Sequence, residues 1–404
     1  MLNTRDPSWL PTLEAAAVRH ELTLPSSGEG EPNFLQLPAR PGVAVFEGEG
    51  GRALLIATTG DLRDLARRRL SPPDAALGPR TDHRAITRRI AAIEVGSSLE
   101  ADVLYLSQAR TRMPETHQVV SERWRPWFVQ VDAAAEFPQW TKTCLSGSVA
   151  PWAAGDLLGP FADKDSAGRF IERVIDAFDL CREHHLLVQA PAARACPYKE
   201  MGRCPAPCDG SEPMESFRSR TRRAAEIVGG GLAVMRERLA LDMRAAAEST
   251  RFEEAAMWKQ QLARLDALAA PAFAHIGDAR SLRLLVVVPA SRASMARVLL
   301  LAGGRLGVVG EAGVRADANE VKRLADRAVA HAETAGELDG GPDQLDALAA
   351  VTRWLYAPGA RRRGVAIRIH VRGSSAELSA ELGAAILSLK KAKAAVVPNQ
   401  SVEA

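Results

Sequence analysis

Short apolar runs bounded by polar, Gly- or Pro-bearing stretches recur along much of this chain. Pro41 to Phe46 and Ala53 to Thr58 read as strands around a turn at Glu47 to Gly51, which makes a hairpin. Upstream, Trp9 to Leu22 has the look of a helix, followed by a Ser-Ser-Gly-Glu-Gly-Glu-Pro linker. Helical spacing returns over Asp61 to Leu70, His83 to Ile90 and Leu99 to Ala109, with Ala91 to Val95 extended. A Leu-Gly-Pro-Phe passage from Leu158 leads through a polar turn to an amphipathic helix, Ser166 to Phe178.

Gly229 to Gly231 predicts a break, and two short helices follow it. One carries Leu239, Met243 and Ala246 on a face; the other carries Phe252, Ala255, Ala256, Lys259 and Leu262. Thr250-Arg251-Phe252-Glu253 between them has the form of a capping box. Helices this short are marginal alone, so they are expected to pack as an antiparallel hairpin with faces left over for a partner. Beyond Pro271, β-rich runs at Leu282 to Val288, Val298 to Leu301 and Arg305 to Val309 turn at Ala302-Gly303-Gly304. Helices at Ala318 to Ala332, Gln344 to Leu355 and Glu377 to Lys391, with a strand at Gly364 to Val371, complete a small α+β region. The expected fold class of the whole chain is α+β.

At 404 residues the chain has room for two or three domains. Its 47% hydrophobic and 25% charged residues are those of a soluble globular protein, and no apolar run is long enough to span a membrane. A formal charge of +3 is too small to attract nucleic acid by itself, so such contacts must come from local arginine clusters. Two clusters stand out: Arg63, Arg67, Arg68 and Arg69 on one helix, and Arg218, Arg220, Arg222 and Arg223 on another. Each suits either a solvated face or phosphate binding. Trp124, Arg125, Trp127 and Phe128 offer either a stacking platform for a displaced strand or strand packing, the commoner use. His83, His117, His184 and His185 show no metal spacing.

Four of the five cysteines, Cys181, Cys196, Cys204 and Cys208, converge at spacing C-x14-C-x7-C-x3-C, while Cys144 stands apart. The last three share a loop kinked by Pro197, Pro205 and Pro207, with Lys199 and Arg203 between them and no apolar face to fill. No secretory signal precedes them, so a disulfide framework is not expected. Thiolates grouped in this way suit a metal. The absence of any C-x2-C pair favours a 4Fe-4S cluster, with zinc as the alternative and no nucleotide cofactor.

Leu-x3-Met-x2-Ala-x5-Phe-Glu-x-Ala-Ala, from Leu239 to Ala256, resembles the UVR motif, with Lys259-Gln260 where Arg-Asp is usual. In the UvrC family of ABC-excinuclease components that motif follows a four-cysteine iron–sulfur loop and docks a matching hairpin of the helicase-like partner UvrB. The resemblance implies Cys181, Cys196, Cys204 and Cys208 as cluster ligands, supported by a G-P-[FY]…S-A…F-x-L-C passage leading into Cys181. It also implies Leu239, Met243, Phe252, Glu253, Ala256 and Lys259 as the partner-binding set. Arg63, Arg67, Arg68, Arg218, Arg220, Arg222 and Arg223 are the DNA-binding candidates.

Pro41-Gly42-Val43-Ala44-Val45-Phe46, Leu55 to Arg63 and Ser97 to Tyr105 are similar to the GIY-YIG nuclease domain that opens UvrC proteins. There the family has two tyrosines, an arginine and a metal-holding glutamate; here Ala44, Leu55, Arg63 and Tyr105 stand at those positions. Only the arginine is retained. Ala44 has no proton to exchange and Tyr105 cannot ligate a hard cation as a carboxylate does. Glu100 lies off the helical face of Tyr105 and is a poor substitute. The implied domain is therefore catalytically degenerate.

The resemblance implies five segments: an extension over 1–32, a degenerate GIY-YIG-like domain over 33–135, and a cysteine-rich region with a basic helix over 136–235. A UVR hairpin over 236–270 and an α+β domain over 271–404 follow. The RNase H-like and helix-hairpin-helix parts of UvrC are not found, while Val351 to Gly359 resembles the end of actinobacterial exonuclease–UvrC fusions. The implied role is cytoplasmic nucleotide excision repair within the SOS response, through DNA and a UvrB-like helicase subunit and without a membrane. The alternatives are an active structure-specific endonuclease and a UVR adaptor outside repair, although such zinc-bearing adaptors carry C-x2-C pairs.

Overall fold

A computed structural model describes residues 9–25, 30–71, 82–145, 155–359, 361–369, 375–391, 397 and 399–403. Two compact units result: Met1–Arg125 together with Leu282–Ala404, and Pro126–Ser281. Mixed helix and sheet occur in both, as the α+β expectation requires.

The first unit begins with β1 (Val18–Thr23), β2 (Gly42–Glu47), β3 (Ala53–Thr59), α1 (Leu62–Leu70), α2 (His83–Ile86), β4 (Arg89–Glu94), α3 (Ser98–Arg112) and α4 (Pro114–Trp124). The strands form an antiparallel sheet in the order β1-β4-β2-β3, and β2 is buried along its whole length. Gly42 suits that central place, because a Cβ there would stand 2.5 Å from the Ile93 carbonyl oxygen. Asp61 caps α1 by accepting from the Asp64 N–H at 2.9 Å, and the helix buries Leu62, Leu65, Ala66 and Leu70 against Phe46 and Leu55.

Two expectations fail in this half. Trp9 to Leu22 is not a helix: a turn at its start gives way to β1, paired residue for residue with β4. Pairing along a whole strand outweighs the helical preference of Ala15 to Ala17. Trp9 and Leu10 instead pack with the core of the sheet formed by the chain's last third. The helix expected over His83 to Ile90 also stops at Ile86, where the chain straightens into β4. Most of the expected linker, residues 26–29, lies outside the described residues.

The second unit runs β5 (Trp127–Val131), β6 (Trp140–Cys144), β7 (Asp156–Phe161), α5 (Lys164–Phe178), α6 (His184–Leu187), α7 (Pro197–Glu200), α8 (Met214–Glu226), α9 (Leu232–Glu248), α10 (Phe252–Leu268) and β8 (Gly277–Asp278). Its sheet, β6-β5-β7-β8, packs on α5 through Phe161, Phe170 and Val174, and Phe217, Leu239 and Leu265 join the same core. The break expected at Gly229 to Gly231 is a wide π-helical turn, Ile227–Gly231, that carries α8 into α9.

α9 and α10 form the expected antiparallel hairpin, but Thr250 does not cap α10. It sits in the left-handed region (φ 57°), and its N–H donates to Ala247 O while Arg251 N–H donates to Ala246 O at 2.9 Å. That pair of bonds is a Schellman closure of α9, so Thr250 ends one helix rather than starting the next.

The chain then returns to the first unit with β9 (Arg283–Pro289), β10 (Met295–Ala302), β11 (Arg305–Gly313), α11 (Ala318–Thr334), α12 (Pro342–Leu355), β12 (Val365–Arg368), α13 (Ser375–Ser388) and β13 (Gln400–Glu403). The order β11-β10-β9-β12 is antiparallel, α11 and α13 cover it through Val321, Ala325, Leu382 and Ile386, and β13 pairs with β3. The end of the strand expected over Gly364 to Val371 lies outside the described residues.

Buried charges tie this half of the unit to the first. Glu100 on α3 accepts from the Gly96 and Ser97 N–H groups and from Arg297 of β10 at 2.5 Å, and Arg297 also reaches Glu311 at 2.6 Å. Asp102, further along α3, meets Arg353 of α12 at 3.2 Å and Gln400 at 3.3 Å. Burial outweighs the nearby Arg353 and Arg361 charges and pushes the Asp102 carboxyl up to about 6. The folded protein therefore keeps a proton that the unfolded chain releases near its ordinary value of 3.8, and stability falls as pH rises between the two. The predicted loss is on the order of 3 kcal/mol. Asp102→Asn should flatten the urea midpoint across that range, which denaturation at several pH values will measure; an unchanged slope would remove Asp102 as its source.

A four-thiol loop as candidate metal centre

The second unit brings Cys181, Cys196, Cys204 and Cys208 towards one another. Cys181 follows the C-terminus of α5, which closes on Asp179 in the left-handed region (φ 49°). Cys196 caps α7, Ala206 turns the chain with φ 60° beyond Cys204, and Cys208 lies in a tight turn, Pro207–Asp209. Ala193, Ala206 and Cys208 pack as a small core of their own, and Ala193 N–H donates to Cys208 O at 3.1 Å. Lys199 clamps the loop across Asp209 and Ser211, each at 2.6 Å. Arg182 covers the Tyr198 ring at 4.6 Å and pairs with Asp176.

The thiols sense each other directly. A hydrogen bond with Cys181 draws the Cys204 thiol down to about 6, with help from the Ala206 N–H and the Arg220 guanidinium. The same bond, with burial, drives Cys181 upward. Burial first, then the charges of Asp209, Cys196 and Cys204, raise Cys208. Cys181 and Cys204 each accept from the backbone N–H two residues on, at Glu183 and Ala206, a bond that stabilises thiolate sulfur. Among the described residues no three His, Cys, Asp or Glu side chains stand in a metal-binding arrangement, so the four sulfurs are neighbours without surrounding a common centre. Their donor chemistry fits a thiolate-bound metal or cluster, since four neighbouring thiols can ionise together only beside a cation. Cys144 lies on β6 and is half-buried.

The arginine candidates divide. On α8, Arg220 pairs with Glu212 at 2.7 Å and Arg218 with Glu215 at 3.1 Å, whereas Arg222 and Arg223 are exposed. In the first unit, Arg63 Nε donates to the Leu37 carbonyl at 2.9 Å, a structural bond. Arg67 covers Phe34, Arg68 pairs with Asp64, and Arg69 reaches Ser401. Ala44, Leu55 and Tyr105 are core residues, and Tyr105 stacks on Trp124. Burial pushes the Tyr105 hydroxyl up to about 12. Trp124 is also covered by Arg353 at 4.3 Å and Phe128 is fully buried, so neither belongs to an open stacking platform.

Of the hairpin residues, Leu239 is buried in the unit's own core and cannot meet a partner; a helical spacing alone does not say which face turns inward. Met243 is half-buried, while Phe252, Glu253, Ala256 and Lys259 are exposed. Phe252 is 68% exposed, and Val234, Leu241 and Met257 are exposed apolar residues that the motif did not single out.

Residues 127–227 match the family model of the UvrC/Cho excinuclease middle domain, a stretch that holds all four clustered cysteines and α8. The chain resembles the UvrC family. It is 29% identical over 234 residues to the UvrABC system protein C of Hyphomonas neptunium, covering 57% of this chain and 36% of that protein. With the protein of the same name from Haloarcula marismortui the figures are 26% over 282 residues, covering 67% and 46%. The match thus spans less than half the length of these UvrC-type relatives. No solved structure matches the chain.

Replacing Cys181, Cys196, Cys204 or Cys208 singly by serine should strip most bound metal from protein isolated without oxygen, while Cys144→Ser leaves it unchanged. Metal analysis of the five variants checks this. Equal retention in all five would put the metal elsewhere.

Proposed function

We propose that this chain is a UvrC-like component of nucleotide excision repair that binds DNA and docks a UvrB-type helicase subunit without cutting DNA efficiently itself. The observation carrying the reading is that the middle-domain match coincides with the four neighbouring thiols and the basic helix that follows them. Cys181, Cys196, Cys204 and Cys208 would hold a 4Fe-4S cluster, which supplies a covalent crosslink and a one-electron centre when bound. Arg222 and Arg223, exposed beside this loop in sequence, are the side chains of α8 best placed to meet phosphates. Arg220 is committed to Glu212 and to the electrostatics of Cys204. On α1, Arg67 and Arg68 are exposed and remain available for a weaker contact.

The first unit supports binding rather than cleavage. A GIY-YIG-type nuclease needs a group to activate water and a carboxylate for a divalent metal. Ala44, Leu55 and Tyr105 are packed into the core, Arg63 is held by Leu37, and the nearby carboxylate, Glu100, is fully buried and tied to Arg297. Incubated with a bubble or flap duplex and magnesium or manganese, the protein should leave the strands intact. Robust nicking lost in Arg63→Ala would instead establish the endonuclease reading.

The hairpin tip supports docking. Phe252 packs little against its own chain, and desolvating one aromatic anchor at an interface is typically worth about 2 kcal/mol or more. Phe252→Ala should weaken binding to a UvrB-type helicase by well over tenfold, about what that energy yields, with an unchanged melting curve. Unchanged affinity would point to an adaptor role for some other partner.

A further inference from the structure

A cavity of about 330 Å³ opens in the second unit where α5, the cysteine loop and α10 meet. Arg173 comes from α5, Arg203 from the loop beside Cys204, and Gln260 and Arg264 from α10. Ala263 and Ala267 share the helical face of Gln260 and Arg264, and their short side chains leave the space open. Two carboxylates also line it, but both are engaged: Asp179 accepts from Arg264 at 3.0 Å and Asp176 pairs with Arg182. Arg173 and Arg203 are both exposed, and neither has a carboxylate partner among the described residues. Gln261, the next residue of α10, donates to Ala177 O at 2.8 Å and holds that helix against the end of α5.

The result is a concave site with an excess of guanidinium groups, an amide able to donate, and acids already neutralised. Guanidinium forks match phosphate oxygens in geometry and charge, and a volume of this order accommodates a nucleotide-sized group. We infer that this cavity is a phosphate-ester site in which Arg173 and Arg203 grip the phosphoryl oxygens and Gln260 donates beside them. The site is separate from the exposed face of α8 and does not require the hairpin to dock a partner. Phosphate esters reach proteins either as the backbone of a nucleic-acid strand or as a free phosphate compound, and both share this chemistry.

The test uses the full chain in two arms. Anisotropy of a labelled single strand of about 15 nucleotides, a length suited to a basic groove, is followed across salt concentrations. The melting temperature is followed in parallel as inorganic phosphate or a nucleoside monophosphate is added. Arg173→Ala combined with Arg203→Ala should weaken strand binding about tenfold and flatten the salt dependence by about 0.7 per lost contact. Ala263→Glu, which leaves the cysteine loop untouched, should weaken it similarly by placing a carboxylate in the cavity. Arg238→Ala with Arg244→Ala removes the same charge from α9 and should change little. Loss in the strand arm assigns the site to a nucleic-acid backbone; loss of phosphate stabilisation alone assigns it to a free phosphate compound. The inference is overturned if the cavity variants leave both arms unchanged, or if the α9 pair weakens binding equally. Arg222→Ala with Arg223→Ala, measured alongside, reports on the α8 face independently, so failure of one reading is distinguishable from failure of the other.

Discussion

Thiols held as neighbours must share either protons or a cation, and the second unit is built around that constraint. Cys181 and Cys204 share a hydrogen bond that pulls the Cys204 thiol down and pushes Cys181 up. The segments that bring them together have little apolar surface of their own: the loop's private core is Ala193, Ala206 and Cys208. The rest of its geometry comes from polar clamps, Lys199 on Asp209 and Arg182 on Asp176 and Tyr198. α5 enters the loop at Cys181 and α8 leaves it after Cys208, and Arg220 of α8 reaches back to the charge of Cys204. A cation at the sulfurs would therefore tie together the two helices that carry Arg173 and the exposed pair Arg222 and Arg223.

The first unit obeys a different constraint. Glu100 and Arg297 are both withdrawn from water; Arg297 is the charged partner of Glu100, which also accepts from the Gly96 and Ser97 N–H groups, while Arg297 is shared with Glu311. Removing the arginine of such a pair typically costs about 3–5 kcal/mol, since the buried carboxylate loses its charged partner. The carboxylate nearest the expected nuclease site is thereby committed to joining α3 with β10, and the three replaced positions Ala44, Leu55 and Tyr105 fill the core. An arrangement of that kind favours a stable scaffold over a water-accessible metal site.

Much of this was legible in the residues. Strands β2, β3, β9, β10 and β11 lie where β-rich apolar runs and Gly-Gly turns placed them, since burial on a sheet leaves a direct signature in sequence. The hairpin of α9 and α10 was equally plain. Trp9 to Leu22 misled because β1 is specified by its distant partner β4, which local propensity does not register. Thr250 misled because a threonine at a helix junction can close the helix before it as well as open the one after it. Leu239 and Phe252 both matched the partner-binding motif, yet one is buried and the other exposed; the motif holds no information on which face its own unit covers. For the cysteines, spacing grouped four and set Cys144 apart, and in the fold Cys181 and Cys204 shift each other's acidity while Cys196 and Cys204 act on that of Cys208. The Arg173–Arg203 cavity left no trace in sequence, because its residues are drawn from three separated segments.

The cluster proposed for the second unit turns on whether the four sulfurs hold iron and sulfide. Mössbauer spectroscopy of protein expressed with iron-57 and purified without oxygen reports directly on that centre. The expected spectrum is that of a 4Fe-4S cluster with all of the protein-bound iron in it. Stoichiometric zinc with no iron signal would contradict it.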